Sequence, residues 1–370
     1  MKDTEIAVIG GGPAGLMAAL AAAEMGARVT IIDRNSRLGG QLVKQTHKFF
    51  GSEKEYASVR GIDIGRLLSD EVLKNPRIET MLDSTVIGYY PDDGVLGVEF
   101  EGKTFVKIKP KKVVVATGAS EKFLPFENND LPGIYGAGAV QTLMNEHGVV
   151  PGENVLMVGA GNIGLIVSYQ LMQAKVNVKA IIDAAPCIGG YWVHASKVAR
   201  LGVPIMTSYT IKAAYPNEAT GTLERAVIWQ LDDRWQPIPG TEKVLKVDVI
   251  CISVGLSPLT EILWQAGCEM KYVPQLGGHV AVRNENMETT VPGIYVAGDV
   301  AGVEEASSAM IEGRLAGLNA AKSLGYDDGT YSEKRLEAIK RLQNLRSGPV
   351  GEKIRQGLAQ LVSSGGDYNA

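Results

Sequence analysis

The sequence predicts an α/β protein of two Rossmann-like dinucleotide-binding domains, each with a parallel sheet and an antiparallel meander, the second inserted into the first. Three observations predict it. A glycine turn, Gly10-Gly-Gly-Pro-Ala-Gly15, stands between a short apolar run and an alanine-rich stretch, and the next apolar run ends in Asp33. The same order recurs at Gly159-Ala-Gly-Asn-Ile-Gly164 and ends in Asp183. A later run, Thr290 to Asp299, ends in Gly298-Asp299 and has no counterpart between the two units, so it reads as the chain returning to the first domain. A strand, glycine turn, helix and acid-ended strand make a unit that holds a dinucleotide. The glycines let backbone N–H groups approach a pyrophosphate, the helix N-terminus supplies positive dipole, and the acid takes a ribose hydroxyl. Two units in tandem point to two dinucleotides, one of them a flavin.

Taken in order, Ile6–Ile9 reads as a buried strand, Ala14–Met25 as a helix and Arg28–Asp33 as the second parallel strand. Gly39-Gly40-Gln41 opens a loop. Asp63–Lys74 has helical spacing and ends at Asn75-Pro76. From Ile78 to Lys109 short alternating segments broken by Pro91-Asp-Asp-Gly94 and Glu101-Gly102 suggest an antiparallel meander, and Lys112–Gly118 another buried strand. The second unit repeats this order with strand Asn154–Val158, helix Ile163–Ala174, strand Val178–Asp183, a meander around Ala226–Gln236 and strand Asp248–Gly255. Cys187-Ile-Gly-Gly-Tyr191 echoes Arg37-Leu-Gly-Gly-Gln41. Ala306–Ala321 reads as a helix after the return, Ser332–Leu345 and Gly351–Leu361 as helices in a polar, solvated tail, and Ser363–Ala370 as loose. The expected domains are 1–120 with 270–326, then 121–269, with a helical C-terminal tail at 327–370.

At 370 residues the chain exceeds one core, and 45% hydrophobic and 21% charged residues with 44 glycines fit a turn-rich globular α/β protein. A net charge of −4 gives no reason to propose nucleic acid or a membrane surface as partner. Met1–Glu5 run straight into the first strand and no apolar stretch is long enough to span a bilayer, so the cytoplasm is the expected location. The three cysteines, Cys187, Cys251 and Cys268, form neither a CxxC pair nor a metal-ligand cluster and read as reduced structural thiols.

Within the first unit Gly10 allows the tight turn, Gly12 lets the backbone meet the pyrophosphate and Gly15 permits close helix–strand contact. Asp299, a carboxylate closing a buried strand, is costly unless it hydrogen-bonds a group such as the hydroxyls of a ribityl chain. Its alternative is an N-cap for the following turn. In the second unit Asp183 is followed by Ala184-Ala185-Pro186 with no basic residue for a 2′-phosphate, which favours NAD over NADP, and a vestigial nucleotide site is the competing reading. No acid–base dyad emerges. His47 and Lys48 are the side chains that could approach a flavin ring, and the chemistry is expected to belong to the cofactor.

With the paired glycine turns, Val115-Ala-Thr-Gly118 and Tyr295-Val-Ala-Gly-Asp299 in view, the chain resembles the two-dinucleotide-binding-domain flavoproteins of the pyridine nucleotide–disulfide oxidoreductase superfamily over about residues 4–326. It lacks their redox cysteine pair, since neither Gly40-Gln-Leu-Val43 nor Leu131–Gly159 contains cysteine. Leu131-Pro-Gly-Ile-Tyr-Gly-Ala-Gly-Ala-Val-Gln141 and Val303-Glu-Glu-Ala-Ser-Ser-Ala-Met-Ile-Glu-Gly-Arg314 are similar to the flavoprotein subunits of hydrogen cyanide synthase, opine oxidase and dye-linked proline dehydrogenase, and to part of sarcosine oxidase alpha.

That resemblance implies an FAD-dependent electron-transfer subunit of a multi-subunit amino-acid or amine dehydrogenase, of proline, opine, sarcosine or glycine type. Its partner would be an amine-oxidising flavoprotein subunit, and either a separate small iron–sulfur subunit supplies a [2Fe–2S] cluster or this member lacks that step. It implies FAD at Gly10, Gly12, Pro13, Ala14, Gly15, Asp33, Arg34, Gly40, Gln41, Leu42, Val86, Ala116, Thr117, Gly118, Gly298, Asp299 and Ser307. NAD(H) or another adenine nucleotide would sit at Gly159, Gly161, Asn162, Ile163, Gly164, Asp183 and Gly255, and no metal is expected on the chain. The alternatives are a free-standing NADH-dependent flavin reductase serving a ferredoxin, rubredoxin or dye, and a nucleotide-stabilised scaffold subunit.

Overall fold

A computed structural model of the chain describes residues 1–349 and 351–362. It divides into two compact units, residues 1–120 together with those from Ser257 onward, and Glu121–Leu256. In the first unit β1 (Lys2–Ile9) leads through the glycine turn to α1 (Pro13–Glu24), and β2 (Val29–Ile32), α2 (Gly61–Lys74) and β3 (Ile78–Met81) follow. β4 (Ser84–Tyr90), β5 (Val95–Phe100) and β6 (Thr104–Val115) complete a sheet in the order β3-β2-β1-β6-β5-β4.

The sequence reading differs here in two respects. Ile78–Met81 pairs parallel with β2 rather than joining the meander. The last meander strand and Lys112–Gly118 are one strand, β6. Its first part, Thr104–Ile108, pairs antiparallel with β5 and its second, Ile108–Val115, parallel with β1, with Pro110 opposite Thr4. Pro110 removes one N–H donor but does not break the strand, because φ near −65° lies within reach of extended backbone.

β7 (Ala119–Glu121) leads into the second unit. There β8 (Ile134–Gly136), α3 (Ala137–His147), β9 (Asn154–Val158), α4 (Asn162–Gln173), β10 (Asn177–Asp183), α5 (Trp192–Arg200) and β11 (Ile205–Thr207) follow. β12 (Tyr209–Pro216), β13 (Leu223–Gln230) and β14 (Lys243–Lys246) form the antiparallel meander, and β15 (Val249–Ile252) closes a parallel sheet β11-β10-β9-β15-β8. β9 and β15 are buried runs of branched and sulfur-bearing residues, as a sheet covered on both faces requires.

The chain returns through β16 (Leu256–Pro258). The first unit resumes at Ser257 and not at residue 270, because Ile262, Leu263, Ala266 and Cys268 of and after α6 (Glu261–Gln265) bury into its core. The hairpin of β17 (Met270–Val273) and β18 (Gly278–Ala281) precedes β19 (Ile294–Val296), which pairs parallel with β6.

α7 (Ala306–Ser323) then lies against α1 at backbone contact distance. A Cβ at Gly313 would come within 2.0 Å of the Ala14 carbonyl oxygen, and one at Gly317 within 2.1 Å of that of Ala18. α8 (Tyr331–Leu345) and α9 (Glu352–Val362) are not a solvated tail. Ala338 and Leu342 join the first core, and Leu361 packs with Val273, Leu276 and Val280. Ser363–Ala370, expected to be loose, lie outside the described residues.

Candidate functional site

The first glycine turn separates two kinds of glycine. Gly10 has φ +106°, and a Cβ there would sit 2.3 Å from the Ala116 carbonyl oxygen; one at Gly15 would sit 1.8 Å from the Gly10 oxygen. Those glycines let α1 and β1 close on each other. Gly12 has an ordinary extended backbone (φ −78°, ψ −173°), and the nearest atom to a Cβ there would be the Gly40 Cα at 3.9 Å. It is the N-cap of α1 with no side-chain cap, and Pro13 follows at the first helical position. The first-turn N–H groups of Ala14 and Gly15 therefore depend on something outside the helix, which is the arrangement that takes a phosphate.

Asp33 clamps this turn. Its Oδ2 accepts from Gly11 N (2.5 Å), while Oδ1 accepts from the backbone N (2.7 Å) and Nδ2 (2.9 Å) of Asn35. The second unit does the same, with Asp183 Oδ2 accepting from Ala160 N (2.7 Å) and Oδ1 from Ala185 N (2.9 Å). Both acids thus have a turn-holding role that sequence reasoning did not assign. A carboxylate offers about four acceptor directions, so each acid keeps at least one for a further donor such as a ribose hydroxyl.

The echo between the two Gly-Gly pairs is structural as well. Gly39 N donates to Gly11 O and Gly190 N to Ala160 O, and a Cβ on Gly40 or Gly190 would strike the backbone of Gly12 or Gly161 at 2.7 or 2.8 Å. Leu42 is fully buried beside the first turn's core, whereas Gln41 and Arg34 are exposed. Val86 is half-buried on β4 opposite Val98. Ala116 N donates to Ile9 O, the Thr117 hydroxyl donates to Leu259 O (2.7 Å), and Gly118 stands open at φ +77°. His47 stacks on Phe49 with centroids 5.9 Å apart, and Lys48 is exposed and bridged to Arg60.

The return segment brings Gly298 against the first turn: it has φ +78°, and a Cβ there would meet the Ala14 Cβ at 2.9 Å. Asp299 accepts from Glu304 N at 3.3 Å but is not an N-cap: the short turn it lies in is capped by Ala297 and α7 by Glu305, both without a side-chain cap. Burial pushes the Asp299 carboxyl up to about 7; the Glu304 N–H opposes this, while Glu312, Glu304 and Glu305 add to it. A carboxyl so placed gains from hydroxyl donors, and the ribityl chain of a flavin supplies that chemistry.

Behind Asp299 lies a buried ion network. Glu312 Oε2 accepts from Gly298 N (2.9 Å), and its Oε1 accepts from Arg283 Nη2 (2.9 Å) and Arg346 Nη2 (2.6 Å). Arg346 also forks onto Glu304, with Nε to Oε2 at 3.1 Å and Nη2 to Oε1 at 2.5 Å. Burial opposes the Glu312 carboxylate, but Arg283 and Arg346 outweigh it and hold its pKa below the usual range; for Glu304 burial wins and the pKa rises. Sequence reasoning missed Arg283 and Arg346. Glu312 was discernible in principle, as a charge set among small apolar residues of a helix and hence in need of a partner. Ser307, in the first turn of α7, is buried.

The second turn repeats the first. A Cβ on Gly159 (φ +116°) would lie 2.1 Å from Ser253 O, one on Gly164 2.1 Å from Gly159 O, and one on Gly161 would meet nothing within 4 Å. α4 likewise starts without a side-chain cap. Asn162 Oδ1 accepts from Tyr191 N (2.8 Å), Ile163 is exposed at the helix start, and Gly255 is exposed at φ +114°. Among the described residues no group of three acidic, His or Cys side chains could hold a metal, and no helix is long and apolar enough to cross a membrane.

The sequence profile of the pyridine nucleotide-disulphide oxidoreductase family matches residues 4–313. The larger relatives include the opine oxidase A protein of Rhizobium meliloti, 26% identical over 361 residues, covering 90% of this chain and 66% of that protein. The sarcosine oxidase alpha protein of Rhizobium meliloti is 27% identical over 87% of this chain and 31% of its own length. The HcnB protein of hydrogen cyanide synthase from Pseudomonas protegens is 24% identical over 97% of this chain and 80% of its own length. The chain thus spans just under two thirds of the opine oxidase protein and under a third of the sarcosine oxidase one.

In fold it is similar to L-proline dehydrogenase from P. horikoshii, with TM-score 0.70, 24% identity, and coverage of 92% of this chain and 59% of that one. It is also similar to T. acidophilum thioredoxin reductase, with TM-score 0.72, 22% identity, and coverage of 88% and 99%. The chain belongs to the pyridine nucleotide-disulphide oxidoreductase family, whose members bind FAD and NAD(P) on Rossmann-type domains.

Proposed function

We propose that the chain is the FAD-binding electron-transfer subunit of a multi-subunit amino-acid or amine dehydrogenase. The observation that carries the reading is the pairing of two capless helix starts, at Gly12 and Gly161, with a single Gly298–Asp299 turn that only the first unit possesses. In the first unit Gly12 and the N-terminus of α1 would receive the pyrophosphate of FAD, Asp33 a ribose hydroxyl, and Asp299 the ribityl hydroxyls. In the second, Gly161 and the N-terminus of α4 would receive NAD, since no basic residue follows Asp183.

The flavin, when bound, supplies two-electron chemistry with a nicotinamide or an amine-oxidising partner and one-electron chemistry with an iron–sulfur acceptor. The protein orients it, keeps the turn rigid and offers no thiol pair: Cys251 and Cys268 are buried and Cys187 lies alone on the surface. The relatives are named as subunits of opine oxidase, sarcosine oxidase and hydrogen cyanide synthase, which supports a flavoprotein partner; a small iron–sulfur protein completes the proposed path. Anaerobic titration of the FAD-loaded chain with NADH tests the second site. Stoichiometric bleaching of the flavin band is the expected result. An unchanged band that dithionite still bleaches refutes a hydride-donating second site and makes the flavoprotein partner the electron source.

A further inference from the structure

The Gly298–Asp299 turn is held from behind by two arms that meet in one side chain. On one arm Arg346 donates to Glu312 Oε1 (2.6 Å), whose other oxygen accepts the Gly298 N–H (2.9 Å). On the other, Arg346 forks onto Glu304 (3.1 and 2.5 Å), whose own N–H reaches Asp299 Oδ1 (3.3 Å). Arg346 caps α8, beyond the residues 4–313 that the family profile covers, so the guanidinium comes from an element the family match does not include. Its side chain is 12% exposed, those of Glu304 and Glu312 8% and 3%. A carboxylate pair so buried cannot stand without a cation.

We propose that Arg346 is the positioning residue of the flavin-side turn, gripping the carboxylates of the two residues that hold it, Glu312 through its carboxylate on Gly298 N and Glu304 through its backbone N–H on Asp299. The inference rests on reading the first unit as the FAD site. The groups facing the network are Asp299 and Glu305 from the turn, Glu304 and Glu312 from its arms, Ser308 from α7, and Arg283 from the residues just after β18. Among the described residues Arg283 pairs with Glu312 and Arg346 is the cation paired with Glu304, so without Arg346 the Glu304 carboxylate loses that partner.

The test uses the full chain with three variants: Arg346→Met, Arg346→Lys, and the double variant Glu304→Gln/Arg346→Met. FAD affinity is read by quenching of flavin fluorescence, and the thermal midpoint of the apo chain is followed across pH. Arg346→Met is expected to weaken FAD about tenfold or more. Its apo midpoint should fall further below wild type as pH rises, because Glu304 must then ionise unpaired. Arg346→Lys should restore the wild-type pH dependence but only part of the affinity, since a point charge cannot fork. The double variant should recover apo stability without recovering FAD affinity, which separates positioning from folding. Wild-type affinity in Arg346→Met, or affinity that returns together with stability in the double variant, overturns the proposal. Failure of the unmodified chain to take up FAD overturns the flavin assignment itself.

Discussion

Alanine at Gly12 separates binding from folding, because the structure leaves room for the methyl group and the proposed cofactor does not. The backbone there is extended with φ −78°, open to any residue, and the nearest atom to the new Cβ lies 3.9 Å away. Losing glycine at an N-cap costs up to about 1 kcal/mol, and removing its freedom from the unfolded chain returns about 0.4–1 kcal/mol. The two nearly cancel, so the apo melting temperature should stay within about 3 °C of wild type.

The methyl group would, however, stand where the pyrophosphate must meet the N–H groups of α1. Losing one or two charge-assisted hydrogen bonds at about 1.5–3 kcal/mol each predicts FAD binding weaker by about 10- to 10,000-fold. Gly161→Ala, whose Cβ meets nothing within 4 Å, should spare FAD and weaken the second nucleotide alone. Fluorescence titration with FAD and anaerobic titration with NADH read the two sites separately. Wild-type FAD affinity in Gly12→Ala would refute the cradle, and a collapse of its apo melting temperature would refute the reasoning about free space. Gly10→Ala is the control that should lose both fold and cofactor, its Cβ falling 2.3 Å from a carbonyl oxygen.

The remaining predictions concern the turn and the helix pair behind it. Asp299, pushed up to about 7 by burial, should bind ribityl donors best as a carboxylate. The bound pKa then lies below the free one, so FAD affinity should be level above about pH 7 and fall by up to about tenfold per unit below it. The loss should stop once pH passes the bound pKa, and Asp299→Asn should show no such slope. Gly317→Ala would drive a Cβ to 2.1 Å from the Ala18 carbonyl oxygen, so α1 and α7 must part. That should cost about 1–3 kcal/mol in urea unfolding of the apo chain.

Local signals carried the two turns well. Gly10, Gly15, Gly159 and Gly164 all sit where a Cβ would strike backbone, which is why glycine-rich spacing in a strand–turn–helix setting was informative. The Gly-Gly echo at residues 39–40 and 189–190 also proved structural, each pair packing onto its turn. What stayed hidden was non-local. The end of the meander and Lys112–Gly118 read as separate strands, yet β6 is continuous because its neighbours on both sides fix its register. The polar sequence of α8 reads as solvated, but Arg346 is drawn inward by carboxylates more than thirty residues away. No window of sequence around Arg346 contains Glu304 or Glu312, so only the fold could pair them.

The two units share glycine chemistry and differ in what stands behind it. Each turn is clamped by its own acid, Asp33 or Asp183, through the same pair of acceptor positions. Only the first unit gains a returning strand, and with it Gly298, Asp299 and a buried network of two arginines and two glutamates. A buried ionic network is a poor source of net stability, because the desolvation of its charges offsets their attraction. Its retention is better explained by what it holds in place. A prosthetic flavin must stay through many turnovers, and rigid donors and acceptors fixed in advance lower the entropy its binding must overcome. A nicotinamide nucleotide that delivers its electrons and departs needs no such backing, and Asp183 and the N-terminus of α4 provide none beyond the turn itself. The asymmetry between two otherwise matching turns is thus the strongest physical argument for placing the retained cofactor in the first unit and the exchanging one in the second.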